Sequence, residues 1–258
     1  MKIAPYGSWI SPITSDSIVS GTVGLGQIAL DGADIYWVET RPAEKGRYSL
    51  VRISPGRGPL DLTPADFNVR TRVHEYGGGS FAVKDGMIIF SNFGDQRLYR
   101  QSDGNGPTAL TPQSELRYAD LEFDMARRRI VAVREDHSLA GSEPANTIVA
   151  IDLDGNDLKG QQGQQHVLAG GKDFYSSPRL SPDGSRLAWL AWDHPNMPWD
   201  GTELWLADVM SDGSLADRRL IAGGQAESIF QPEWSPAGVL HFVSDRTGWW
   251  NLYRYREG

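Results

Sequence analysis

Four similar segments recur along the chain, and their spacing limits the fold more than any other feature. They are Leu60-Asp61-Leu62-Thr63-Pro64, Ala109-Leu110-Thr111-Pro112, Val167-Leu168-Ala169-Gly170-Gly171 and Leu220-Ile221-Ala222-Gly223-Gly224. Between Leu62, Leu110, Leu168 and Leu220 the intervals are 48, 58 and 52 residues. A repeat of roughly 50 residues holding several short strands is the signature of a β-propeller blade. Each repeat opens on a hairpin. The turns are Asp31-Gly32, Asp85-Gly86, the run from Asp124 to Arg128, Ser181-Pro182-Asp183-Gly184 and Ser235-Pro236-Ala237-Gly238. Proline presets φ and glycine takes positive φ without steric cost, so these residues reverse the chain between apolar runs. A third strand is predicted at residues 48–53, 97–101, 147–152, 203–208 and 251–255. The marker segments supply a fourth strand to the first four repeats, and the fifth repeat has none.

The expectation is therefore an all-β chain: a β-propeller of four-stranded antiparallel blades, four complete and a fifth incomplete. Residues 1–24 read as an N-terminal extension. Residues 25–258 read as a partial propeller with blades at approximately 25–66, 67–114, 115–172, 173–225 and 226–258. A ring that stops inside a blade is open, which suggests the front part of a propeller with more blades. Exposed strand edges recruit other chains, so edge-strand self-association is expected of such a fragment. The glutamine-rich run from Gly155 to Gln165 reads as a flexible connection inside the third repeat. No stretch of a dozen residues shows helical periodicity, and there is no strand–helix alternation of the kind an α/β sheet needs.

Composition narrows the function classes. Gly 29, Pro 15 and nine tryptophans suit many turns between strands with bulky side chains. A net charge of −8 argues against a nucleic-acid partner, which requires a basic face. No apolar run approaches the roughly 20 residues of a membrane span. The start, Met1-Lys2-Ile3-Ala4-Pro5-Tyr6-Gly7, lacks the apolar core of a secretory signal. The absence of cysteine excludes disulfides and thiolate metal sites and fits a cytoplasmic protein. The five histidines have no metal-ligand spacing, and no cofactor is expected.

The residues with chemical potential fall in two classes of loop. In a four-stranded blade, the loop entering the first strand and the loop joining the second and third strands share one face. Entering the second repeat is Val69-Arg70-Thr71-Arg72-Val73-His74-Glu75-Tyr76-Gly77-Gly78-Gly79. In the fourth repeat, Trp192-Asp193-His194-Pro195-Asn196-Met197-Pro198-Trp199-Asp200-Gly201 joins strands two and three. The equivalent loops of the third and fifth repeats are Glu135-Asp136-His137-Ser138 onward and Asp245-Arg246-Thr247-Gly248-Trp249-Trp250. One face is thus expected to carry Arg72, His74, Glu75, Tyr76, Asp193, His194, Trp199, Asp200 and Trp249, as candidate substrate-binding or domain-interface residues. The plainer account is that these aromatics and glycines pack loops together.

Other signals weigh less. Gly77-Gly78-Gly79 precedes a strand and lacks a following Lys-Ser or Lys-Thr, so close backbone packing explains it better than a phosphate loop. Asp152-Leu153-Asp154-Gly155-Asn156-Asp157 resembles a calcium loop, but Gly163 stands where the bidentate acid belongs. Asp120, Glu122 and Glu233 lie on or near first strands and could line a channel, as acids do in propeller glycosidases. No Gly-x-Ser-x-Gly occurs, so the chain carries no nucleophile elbow, and no catalytic residue is assigned.

Four stretches carry a family likeness: Ala4-Pro5-Tyr6-Gly7-Ser8-Trp9 with Ser11-Pro12-Ile13-Thr14; Arg72-Val73-His74-Glu75-Tyr76-Gly77-Gly78-Gly79; Leu187-Ala188-Trp189 through Trp199-Asp200-Gly201-Thr202-Glu203-Leu204; and Gln231-Pro232-Glu233-Trp234-Ser235-Pro236 with Ser244-Asp245-Arg246-Thr247-Gly248-Trp249-Trp250-Asn251-Leu252. Through them the chain resembles the N-terminal β-propeller of prolyl-oligopeptidase-family (S9) serine peptidases, in the acylaminoacyl-peptidase and dipeptidyl-aminopeptidase-like branch. The resemblance implies a seven- or eight-bladed propeller that gates access to a C-terminal α/β-hydrolase domain with a Ser-Asp-His triad, acting on short peptides. That domain is not in this sequence, so no triad residue carries over, and the chain alone is expected to be inactive. The Glu-Glu pair that holds the substrate amino terminus in the dipeptidyl-peptidase branch has no match here. Glu75, or an acid between Asp193 and Asp200, is the candidate for that role. The competing expectations are a self-contained TolB-like protein-binding propeller and a five-bladed glycosidase.

Overall fold

The computed structural model describes residues 4–19, 22–102, 104–154 and 165–256. The glutamine-rich connection expected from residue 155 onward lies almost wholly outside the described residues. By compactness the chain divides into two units, 1–68 and 69–258.

The first unit holds a short helix, Ser15–Val19, and one four-stranded antiparallel sheet in the order β1-β2-β3-β4. Its strands are β1 (Gly24–Asp31), β2 (Asp34–Arg41), β3 (Arg47–Ile53) and β4 (Leu60–Asp61). Gly32 takes φ 59° in the two-residue turn that pairs Asp31 with Asp34. Tyr36, Val38, Leu50 and Val51 are buried, whereas Ile28 and Leu30 of β1 are exposed.

The second unit contains three four-stranded sheets and one three-stranded sheet among the described residues, each antiparallel with neighbours in chain order. Blade two comprises β5 (Phe81–Lys84), β6 (Met87–Ser91), β7 (Leu98–Ser102) and β8 (Thr108–Ala109). Blade three comprises β9 (Leu116–Asp124), β10 (Arg129–Asp136), β11 (Ala145–Asp152) and β12 (His166–Ala169). Blade four comprises β13 (Phe174–Leu180), β14 (Arg186–Trp192), β15 (Glu203–Val209) and β16 (Leu215–Gly223). Blade five comprises β17 (Ile229–Trp234), β18 (Leu240–Ser244) and β19 (Asn251–Arg254). Among the described residues the chain is thus an all-β propeller chain with five blades. The marker leucines fall where the fourth strands do: Leu168 and Leu220 within β12 and β16, Leu62 and Leu110 directly after β4 and β8.

The middle strands are apolar on both sides, and the period of two divides their side chains between neighbouring blades. On β10, Ile130 and Ala132 pack with Ile89, Leu98 and Leu110 of blade two. Val131 and Val133 pack the other way, with Leu187, Trp189 and Ala191 of blade four. On β14 the division repeats, with Ala188 and Leu190 meeting Ile229, Leu240 and Phe242 of blade five. Two buried faces account for the unbroken apolar run Leu187-Ala188-Trp189-Leu190-Ala191-Trp192, as in any strand covered on both sides.

Each of β9, β13 and β17 carries a bulge at the same place. Two residues oppose one where Asp120, Ser177 and Gln231 take φ 53°, 52° and 49°. The bulges bring adjacent first strands close enough to bond. Asp120 N donates to Gly79 O at 2.8 Å. The Asp120 carboxylate accepts from Gly79 N at 2.6 Å and from Ser177 N at 2.8 Å. One side chain therefore ties the entry of blade two to the first strands of blades three and four. A Cβ on Gly79 would stand 2.9 Å from Asp120 Oδ1, which explains the third glycine as a close backbone approach.

Candidate functional site

The loop entering blade two is wound tightly over blade three. Thr71 Oγ1 accepts from Val73 N at 3.2 Å, and Gly77 N donates to Val73 O at 2.9 Å. Between them His74 and Glu75 both take positive φ, 55° and 62°. Two successive non-glycine residues in this region are strained, and the surroundings must hold them there. The buried carboxylate of Glu135 does so. Its Oε1 accepts from His74 N at 2.6 Å, and its Oε2 lies 3.0 Å from His137 Nε2.

The bend drives the His74 ring into an aromatic cluster. Its centroid lies 5.6 Å from Tyr76, 5.7 Å from Phe174 and 5.4 Å from Trp192. Phe174 stacks on Trp192 at 5.4 Å and meets His194 at 4.8 Å. His74 Nε2 is buried with no hydrogen-bond partner among the described residues. Burial lowers the His74 imidazole pKa below its ordinary value, against the opposing pull of the Glu135 and Asp120 carboxylates. Burial likewise raises the Tyr76 phenol.

In blade four, Asp193 accepts from Lys172 Nζ at 2.7 Å and from Asp173 N at 2.9 Å. Lys172 also reaches Glu203 at 2.9 Å. His194 Nδ1 lies 3.1 Å from Asp173 Oδ2. The rest of that loop leans on the entry of blade five: Asn196 Nδ2 donates to Gln225 O and Ser228 Oγ to Pro198 O. Asp200 closes its own turn by accepting from Met197 N at 3.0 Å.

The candidate residues thus form three groups. His74 and His194 meet at Phe174, and Tyr76 joins them through His74. Arg72 and Glu75 are joined through Arg117, whose NH1 donates to Arg72 O at 3.1 Å and to Glu75 Oε1 at 2.6 Å. Asp193 belongs to the Lys172 network. Trp199, Asp200 and Trp249 stand apart from these groups, and Trp249 is 80% exposed. Sequence reasoning did not single out Phe174, Arg117 or Lys172, because nothing local marks them. Glu135 and Trp192 lay at the edges of the loops it named.

On the first strands, Arg179 Nε donates to Glu233 Oε1 at 2.9 Å, so one acid considered for channel chemistry is held in an ion pair. Glu122 accepts from Leu180 N at 3.3 Å, and its burial raises the pKa to about 7. Among the described residues no group of three or more histidine or acidic side chains could hold a metal. The histidine contacts at this end run to Glu135 and Asp173 rather than to a serine hydroxyl. The arrangement suits binding and the positioning of loops, and no nucleophile is set up in it. Among the described residues no helix is long and apolar enough to cross a membrane.

No family model matches the chain, and no curated protein matches it. Solved structures do. A puromycin hydrolase is 39% identical with a TM-score of 0.90, over 98% of this chain and 40% of that one. A puromycin-hydrolyzing peptidase of Mycobacterium tuberculosis is 40% identical with a TM-score of 0.87, over 97% of this chain and 40% of its own. Over nearly its whole length the chain resembles the propeller portion of these prolyl-oligopeptidase-family (S9) enzymes. It spans about two fifths of the length of these relatives. A more distant structure, prolyl oligopeptidase B from Galerina marginata, shares 10% identity and a TM-score of 0.59, which is a likeness of fold alone.

Proposed function

We propose that this S9-family propeller is the non-catalytic, substrate-gating part of a serine exopeptidase or oligopeptidase acting on short peptides. Its partner is a C-terminal α/β-hydrolase domain that supplies the Ser-Asp-His triad. The observation that carries this reading is the identity of 39–40% across nearly all of this chain with two-fifths of puromycin-hydrolysing relatives. The acylaminoacyl-peptidase and dipeptidyl-aminopeptidase-like branch, a cytoplasmic location and a closed propeller of seven or eight blades belong to the same proposal.

In this reading the end carrying the His74 cluster faces the hydrolase domain. The neutral His74 ring, Tyr76, Phe174 and Trp192 offer a rigid apolar wall, and the loop chain from Arg72 to Arg117 offers charge beside it. Glu75 is 78% exposed, and its bond to Arg117 fixes the carboxylate in position. That placement suits an acid that holds a substrate ammonium, the role proposed for it.

A chimera tests the reading. Residues 1–258 are joined to the remaining portion of the Mycobacterium tuberculosis relative, and puromycin and short free-amino peptides are offered as substrates. The chain alone should hydrolyse none of them, and the chimera should hydrolyse them but leave folded proteins intact. A folded chimera that is inactive, or one that degrades casein as fast as a dipeptide substrate, overturns the gating reading. Within an active chimera, Glu75→Gln should raise KM for free-amino peptides. Unchanged KM and kcat remove Glu75 from the anchoring role.

A further inference from the structure

Between the loop at residues 94–96 of blade two and residues 113–117 at the entry of blade three lies a cleft of about 340 Å³, walled by Arg72, Asp95, Gln96, Glu115 and Arg117. We propose that this cleft binds the free carboxylate of a short peptide, with Arg72 as its anchor. The ligand class rests on the peptidase reading, whereas the binding site itself rests on the following geometry.

The Arg72 guanidinium makes no hydrogen bond or ion pair among the described residues. It lies over the Phe93 ring, 4.5 Å from the centroid, and Arg70 lies over the same ring at 4.9 Å. The ring contact holds the guanidinium without consuming its N–H donors, which leaves them ready for a carboxylate. The Arg72 backbone is fixed as well. Its N–H donates to Gln96 Oε1 at 2.9 Å, and its carbonyl accepts from Arg117. Gln96 is itself locked, since its Nε2 donates to Phe93 O at 2.8 Å. The anchor is therefore held in place before any ligand arrives, which lowers the entropic cost of binding.

The charges around the cleft select the ligand. Asp95 borders it, but its carboxylate is occupied by Asn92 Nδ2, Arg97 N and Tyr99 OH. It does not neutralise Arg72. Arg117 commits NH1 to Glu75 and to the Arg72 carbonyl, and Glu135 Oε2 lies 3.9 Å from the same nitrogen. Glu115 is exposed, and its carboxylate has no hydrogen bond among the described residues. A dianion such as phosphate meets Glu115 as a like charge. A zwitterion places its carboxylate on Arg72 and its ammonium toward Glu115. The volume lies in the range of about 300–1,000 Å³ usual for small-molecule sites and suits a dipeptide.

The test is binding to the 258-residue chain by calorimetric titration, with no hydrolysis involved, so its failure is separate from failure of the peptidase reading. The probes are glycylglycine, glycylglycine amide, N-acetyl-glycylglycine and inorganic phosphate. Glycylglycine should bind saturably, and its amide about 10-fold or more weaker, as expected for the loss of a charge-assisted pair. Arg72→Ala should weaken glycylglycine by a similar factor with an unchanged melting temperature. Arg72→Lys should fall between, because it keeps the charge and loses the fork. Glu115→Gln should weaken glycylglycine and leave the N-acetyl compound unaffected. Equal binding of acid and amide, unaltered binding by Arg72→Ala, tighter binding of phosphate, or no saturable binding each overturns the proposal.

Discussion

Replacing Asp120 with alanine removes the carboxylate that joins the entry of blade two to the first strands of blades three and four. Two backbone donors lose their acceptor, Gly79 N at 2.6 Å and Ser177 N at 2.8 Å. Hydrogen bonds to a charged group contribute about 1.5–3 kcal/mol each, and water reaches part of this site, so the lower half of the range applies and the pair amounts to about 3 kcal/mol. Backbone conformation adds to this. Asp120 sits at φ 53°, where aspartate is tolerated and alanine costs about 1 kcal/mol more. Asp120→Ala should therefore lose about 4 kcal/mol. Asp120→Gly loses the same bonds without the φ penalty and should lose about 3 kcal/mol. Asp120→Asn keeps one acceptor oxygen and the φ tolerance and should lose about 1–2 kcal/mol. Urea denaturation followed by tryptophan fluorescence gives the three values from the midpoints and slopes. The order alanine, glycine, asparagine is the diagnostic. A loss under 1 kcal/mol for alanine, or glycine worse than alanine, refutes the bridging account.

Three further outcomes are expected. His74 is held below its ordinary pKa by burial, so the unfolded chain takes the proton first as pH falls. Its contribution is complete above the unfolded value of about 6.5 and is lost as pH descends through the folded value, and His74→Asn should flatten that slope in stability measured against pH. Glu122 shifts the other way, to about 7, so its contribution is present below the ordinary carboxylate range and is lost as pH rises toward 7. Glu122→Gln should abolish this second slope, and an unchanged slope would show that Glu122 titrates normally. Trp189 is 3% exposed and stacks on Trp205 at 6.4 Å between blades three and four. Trp189→Ala should cost about 3–5 kcal/mol of stability by the same denaturation assay, and a cost under 1 kcal/mol would mean the cavity collapses.

The strands were readable because their signals are local. Asp85-Gly86 and Ser181-Pro182-Asp183-Gly184 reverse the chain by their own φ preferences, and β6 and β14 lie directly after them. The loops with chemical potential were also readable, from their unusual density of histidine, glycine and tryptophan. Their partners were not. Glu135 holds His74 from 61 residues away, and Ser177 meets Asp120 from 57 residues away. No periodicity encodes which blade presents a donor to which acceptor. Arg179 shows the limit most clearly: Glu122 and Glu233 were noticed as acids, while the cation that pairs with Glu233 sits in a different repeat as an ordinary strand residue.

The two-sided middle strands bear on how the second unit comes apart. β10 serves two interfaces at once, and so does β14. Loosening blade three thus strips cover from blades two and four together, so the unit behaves as a row of nearest-neighbour couplings in place of one undivided core. Opening is least costly where a blade has a single covered side within the row. Amide exchange should then be slowest at Val131, Ala132, Ala188 and Trp189 and faster toward β19, giving a graded melting order along the chain that no single unfolding free energy describes.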